Sequence, residues 1–268
     1  MDVEKYRLFL KIFEEGVSAK DLVVEMDIEK WNMMLRMKDR VQYDFSDYYA
    51  PSRVINELKT FAPPSIFPRL LCLGCGSGYE VEYAIKQGYE AVGITLGKKN
   101  VEKARSRGLD VRYGDMHDLQ FPPDSFDVVL SNHSFEHSFC GWMVAIEVYA
   151  VLRDYGRWLV ELPNQHVQSK TDPFNIAFDL NHMSLLIPSE MQRIFLHTGF
   201  KNALPPKTDE RYTFYLEKVP LQNLPEELGE QTSGKILWVI PLLMERLEYG
   251  KKKYTENYQW QEPLKEGF

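Results

Sequence analysis

Apolar positions recur at helical spacing in the N-terminal part of the chain. Leu22, Met26, Trp31, Met34 and Leu35 fall roughly on one helical face. Ser18 and Asp21 precede them with the spacing of a capping box, Asp standing in for the usual Glu or Gln. A further helix is predicted over Ser52–Lys59, and Pro63, Pro64 and Pro68 then punctuate the chain. From Arg69 the pattern changes to alternating strands and helices. Strands are predicted at Arg69–Leu73, Ala91–Thr95, Val111–Tyr113, Phe126–Ser131, Arg157–Leu162 and Arg211–Lys218. Helices are predicted at Glu80–Gln87, Lys98–Arg107, Cys140–Leu152 and Ser189–His197, with Asp154-Tyr155-Gly156 as a turn. Ile236–Ile240 reads either as a strand or as the opening of a helix over Leu242–Tyr249. Strands separated by helices of this length imply right-handed crossovers and a parallel sheet covered on both faces.

Composition narrows the class. The chain has 268 residues, 44% of them hydrophobic, which suits a packed globular protein rather than a disordered one. Lys and Arg number 32 against 39 Asp and Glu, so no nucleic-acid acceptor is expected. The densest basic cluster, Lys251-Lys252-Lys253, reads as a solvated helix face. Three cysteines, Cys72, Cys75 and Cys140, do not make a disulfide scaffold. The longest apolar run, Ile236–Met244, is broken by Pro241 and is too short for a membrane span. No signal peptide is expected, and the expected compartment is the cytoplasm.

The sharpest motif is Leu71-Cys72-Leu73-Gly74-Cys75-Gly76-Ser77-Gly78, between a predicted strand and a predicted helix. Glycines there let the backbone turn tightly and approach a ligand near a helix N-terminus. Cys72 and Cys75 form a CxxC pair, but no second pair completes a zinc set, and Cys72 sits inside the apolar strand. Gly74, Gly76 and Gly78 do not meet the Gly-x-Gly-x-x-Gly spacing of dinucleotide oxidoreductases.

With its neighbours, the motif resembles the class I S-adenosylmethionine-dependent methyltransferases of the small-molecule type. The segments that carry the resemblance are LCLGCGSG (71–78), GITL (93–96), GDMHDLQFPPDSFDVVLSNHSFEH (114–137), VLRDYGRWLVELPN (151–164) and DLNHMSLLIPSEMQRIFLHTGF (179–200). The resemblance implies a Rossmann-like, mostly parallel seven-stranded α/β sheet with helices on both faces. It divides the chain into an N-terminal helical cap (1–60), a core (61–218) with an acceptor-pocket insert near 165–186, and a C-terminal extension (219–268).

The same resemblance implies roles for single residues. Gly74, Cys75, Gly76, Ser77 and Gly78 would pass under the methionine part of S-adenosylmethionine. Asp115 and Met116 would meet its adenine. Asn132 and His133, after the fourth strand, would stand at the mouth of the pocket. Two departures concern Cys72 and Thr95, where most members carry acidic residues. Cyclopropane-fatty-acid synthases and their relatives use a Thr-Leu-Ser-x-x-Gln pattern at the latter position. Thr95, Leu96 and Asn100 match part of it, so neutral hydrogen bonds would replace a carboxylate at the ribose.

Methyl transfer from a sulfonium is an in-line displacement that needs placement first and a base only if the acceptor must lose a proton. His182 and His133 are the candidate catalytic bases. His133, Glu136 and His137 would share one face of a helix starting near His133, and a divalent metal is the minor reading of that set; no metal is expected. Tyr79 would either cover the cofactor or pack. Trp31, Tyr43, Phe45, Tyr48, Tyr49, Phe174 and Phe178 are candidate pocket walls. His117, His166 and His197 read as surface or packing residues. The expected activity is methyl transfer to the O, N or C atom of a small molecule. Two alternatives stay open: a noncatalytic cofactor-binding partner subunit, and a cyclopropane-synthase-like lipid-modifying enzyme. Either a homodimer or a hetero-subunit fits this reading.

Overall fold

The computed structural model describes residues 51–163, 187–208, 211–255 and 259. The chain order is α1 (Pro51–Phe61), β1 (Arg69–Leu73), α2 (Tyr79–Lys86), β2 (Glu90–Thr95), α3 (Lys98–Arg105), β3 (Val111–Tyr113), β4 (Phe126–Asn132), α4 (Gly141–Val151), β5 (Leu152–Pro163), α5 (Pro188–His197), β6 (Phe200–Lys207), β7 (Arg211–Lys218), α6 (Leu224–Leu228) and α7 (Ile236–Lys253). Short 3-10 turns follow β4 (Phe135–His137) and β7 (Leu221–Asn223).

Seven strands form one sheet in the order β3-β2-β1-β4-β5-β7-β6. The first five run parallel, while β7 pairs antiparallel with β5 and β6 with β7. From β1 the chain winds outward to β2 and β3, then returns to place β4 on the other side of β1. The reversal of direction opens a crevice beyond the carboxyl ends of β1 and β4, where open α/β sheets bind ligands.

The period-two alternation of strand side chains builds two cores. Leu71, Leu73 and Val129 belong to one cluster, with α4, α5 and α7. Leu70, Cys72, Val128 and Leu130 belong to the other, with α1, α2 and α3. Helix α4 is apolar nearly all round because it lies between the sheet and α7. Its one carboxylate, Glu147, is buried and paired with buried Arg246 of α7 at 2.6 and 2.8 Å. The same carboxylate accepts the Leu119 N–H, and Arg246 donates to the Leu119 carbonyl. Residues of α7 therefore complete the main core.

Two predicted features differ, and one that the sequence leaves open resolves as helix. The turn predicted at Asp154–Gly156 lies inside β5, which starts at Leu152; Tyr155 takes φ +58° and the register with β4 shifts nearby, so a bulge absorbs the turn residues. No strand is predicted between His197 and Arg211, yet β6 is there. It is an edge strand with two register shifts and Pro205-Pro206, which hide the alternation. Ile236–Ile240 belongs to α7, which continues through Pro241 beneath an exposed face of Leu237, Trp238 and Met244. Among the described residues no helix is long and apolar enough to cross a membrane.

Candidate active site

Strand β1 is apolar and buried to its end, and the chain then turns at once through the glycine loop into α2. Gly74 has φ +68°, and a Cβ there would stand 2.5 Å from the Ser134 Cβ, so the turn after β4 packs directly on the loop. Gly76 has φ +50°, and a Cβ there would meet nothing within 4 Å. The loop thus has one face closed against β4 and one open position. Cys75 donates its N–H to the Ile94 carbonyl at 3.1 Å and lies against Gly93 of β2. Burial pushes the thiols of Cys72 and Cys75 upward, and both are free. They are packing groups rather than nucleophiles.

The other loop residues face α3. Gly78 caps α2 in a left-handed conformation. Ser77 donates its hydroxyl to Asn100 Oδ1 at 3.2 Å. Thr95, buried at the end of β2, accepts the Gly97 N–H on its hydroxyl, and Leu96 packs against the α1–α3 core. These contacts bring Thr95, Leu96, Asn100 and Ser77 to the carboxyl ends of β1 and β2. The Tyr79 ring packs against the Arg107 guanidinium, which lies 4.4 Å from its ring centre.

Asp115 and Met116 follow β3. Asp115 Oδ1 accepts the backbone N–H of His117 at 3.0 Å and lies 2.7 Å from its Nδ1; His117 stacks on Phe139. His117 is thus a packing residue, and Met116 is buried in the main core.

Beyond β4 the charged groups converge. His133, at φ +47°, donates its backbone N–H to the Glu161 carbonyl. Its ring lies between Glu136 (3.7 Å) and Glu161 (3.4 Å). Burial lowers the imidazole pKa, but the two carboxylates outweigh burial and raise it. Burial likewise raises Glu161, whereas His133 and Arg53 bring it below the usual range. Arg53 of α1 bonds Glu161 and also pairs with Glu57 at 3.3 Å, and Arg211 stands 3.6 Å from Glu161. In this setting His133 is held toward its charged form. The helix expected from His133 is only the 3-10 turn, and among the described residues no group of three or more His, Cys, Asp or Glu is arranged to hold a metal ion.

Glu80, in the first turn of α2, accepts the Asn132 side-chain N–H at 2.5 Å. Burial pushes its carboxyl up to about 7, only partly countered by Asn132. Glu80, Glu161 and Arg53 were not singled out from the sequence. The available signal was a carboxylate in the otherwise apolar strand Trp158–Leu162, which is costly unless paired. His182, His166, the insert near 165–186 and the aromatics Trp31, Tyr43, Phe45, Tyr48, Tyr49, Phe174 and Phe178 lie outside the described residues.

Comparison with known proteins bears on the same crevice. Residues 71–160 match the methyltransferase domain family model. The chain is 33% identical over 117 residues to the 27-O-demethylrifamycin SV methyltransferase of Amycolatopsis mediterranei, covering 40% of this chain and 43% of that protein. It is 31% identical over 94 residues to a probable S-adenosylmethionine-dependent methyltransferase of Mycolicibacterium smegmatis, covering 34% and 37%. The matched region spans less than half the length of these two relatives. The fold is similar to that of an S-adenosylmethionine-dependent methyltransferase from Thermotoga maritima, with TM-score 0.52, 18% identity and coverage of 78% of this chain and 99% of that one. The family match spans β1 through most of β5 and contains the glycine loop at the sheet's point of reversal, so over residues 71–160 this chain is similar to the S-adenosylmethionine-dependent methyltransferases.

Proposed function

We propose that the protein transfers a methyl group from S-adenosylmethionine to a small-molecule acceptor by in-line displacement. The observation that carries this reading is the open position at Gly76, in a loop closed on its other side by Ser134. A second observation fits the cofactor: the buried Asn132 Oδ1 has no hydrogen-bond partner among the described residues, and so awaits a donor. S-adenosylmethionine, when bound, supplies a methyl group on a positively charged sulfur.

The chain's own residues would do the rest. Gly74–Gly78 would lie under the methionine part, Thr95 and Asn100 would offer neutral hydrogen bonds to the ribose with Leu96 beside them, and Met116 and Asp115 would flank the adenine. Asn132 and His133 would border the reacting end. Because His133 is flanked by Glu136 and Glu161, it suits electrostatic holding of the pocket mouth better than proton abstraction. His182 then becomes the preferred candidate base for an acceptor that must lose a proton.

A small organic acceptor is supported by the relative whose name describes methyl transfer to 27-O-demethylrifamycin SV. The acidic balance of the chain also disfavours a polyanionic acceptor. Calorimetric titration with S-adenosylmethionine and S-adenosylhomocysteine tests the reading. Micromolar binding of both, roughly −8 kcal/mol, is expected; binding of neither would refute it.

A further inference from the structure

Asn132 is 6% exposed and ends β4 at the crevice. Its side-chain N–H is taken by Glu80, and its Oδ1 lacks a partner among the described residues. An ionised carboxylate can only accept, so it decides which end of the amide it holds. The other end, an acceptor, is left for something else. A buried acceptor without a donor is costly, and a bound donor would offset that cost.

Resting on the reading above, we infer that Glu80 is a positioning residue: its carboxylate fixes the Asn132 amide so that Oδ1 is presented to the ammonium of the cofactor's amino-acid part. The carboxylate adds a negative charge behind that acceptor, which favours a cationic donor over a neutral one. The groups facing Glu80 from the surrounding elements are His133 at the end of β4, Glu161 of β5, Arg53 of α1 and the thiols of Cys72 and Cys75. Burial pushes the carboxyl up; Asn132, His133 and Arg53 counter it only in part, and Glu161 adds to it, so it titrates at about 7. Once protonated, Glu80 can donate to Oδ1, and the amide is free to reverse. Cofactor binding then carries a proton release from Glu80 and strengthens as pH rises through neutrality.

The test is calorimetry on the full chain with two probes. S-adenosylhomocysteine carries the amino-acid ammonium; 5′-methylthioadenosine shares the nucleoside but lacks that part. Glu80→Gln keeps the shape and can bond either end of Asn132. It is expected to weaken S-adenosylhomocysteine about tenfold at pH 7.5, leaving methylthioadenosine unchanged. The unmodified protein should bind S-adenosylhomocysteine about four- to fivefold more tightly at pH 7.5 than at pH 6.0, a ratio that follows from a group titrating at about 7 whose neutral form binds about tenfold more weakly. The Gln variant should lose that dependence. A merely structural role would weaken both probes together. That result, an affinity within about twofold of the unmodified protein, or a flat pH profile before substitution would each overturn the inference. Binding of neither probe by the unmodified protein would instead sink the methyltransferase reading, and this inference with it.

Discussion

Arg246 offers the sharpest test of how the C-terminal helix is joined to the core. Arg246→Met keeps most of the aliphatic stem and deletes the guanidinium. Glu147 then loses two charge-assisted bonds, from Arg246 Nε at 2.6 Å and Nη2 at 2.8 Å, and keeps the Leu119 N–H. The Leu119 carbonyl loses its donor at 3.1 Å. Bonds to charged groups are worth about 1.5–3 kcal/mol each. Breaking one side of a buried ion pair costs about 3–5 kcal/mol because the other charge stays buried. The two routes overlap at about 3–5 kcal/mol, which lowers Tm by roughly 6–20 °C in a chain of this size. Denaturant unfolding followed by tryptophan fluorescence measures the loss. The double variant Glu147→Gln, Arg246→Met removes the stranded charge while keeping an acceptor for the Leu119 N–H, so it should recover more than about 1 kcal/mol of it. A loss under about 1 kcal/mol in the single variant, or a double variant no more stable than the single, would refute the argument that α7 is locked to α4 by this pair.

Gly76→Val should abolish S-adenosylhomocysteine binding by calorimetry, since its side chain would enter the open cradle; the fold should survive at a cost of about 1–2 kcal/mol for a left-handed non-glycine residue. Asp127→Asn should destabilise the protein by about 1–3 kcal/mol at pH 7, because Asp127 holds Arg69 at 2.9 Å and Arg153 at 2.7 Å across the base of β1, β4 and β5. Burial raises the Asp127 carboxyl, but Arg69 and Arg153 outweigh burial and bring it below the usual range. Its stabilisation is therefore present above the unfolded carboxyl pKa and lost as pH falls through the lowered folded value, so the two proteins should converge in acid unfolding curves. His182→Ala should lower turnover of an accepted substrate more than it weakens cofactor binding; unchanged kinetics would end its candidacy as a base.

The physical chemistry of local sequence accounts for most of the core. Arg69–Leu73, Val111–Tyr113 and Arg211–Lys218 form the strands that their apolar runs predict. Glycines next to a strand end could only mean a tight turn, and Gly74 and Gly76 both need left-handed backbone. Periodicity is a property of neighbouring residues, so it reads from the chain directly. It failed where neighbours mislead. Asp154–Gly156 has turn composition but is carried within β5 by pairing to β4, and β6 owes its existence to β7 rather than to its own proline-interrupted pattern.

Pairing between distant residues was beyond the sequence. Nothing near Glu147 announces Arg246, 99 positions later, although a lone carboxylate in an apolar helix demands some cation. Likewise, the motif around His133 named a candidate base, but only the tertiary structure set Glu161 of β5 and Arg53 of α1 around it. A side chain's charge state depends on what lies within a few ångströms, and that distance is decided by the crossing of strands far apart in the chain. Local pattern determined the sheet and its glycine loop; the packing of β1, β4, β5 and α1 decided which polar groups are fixed at its mouth.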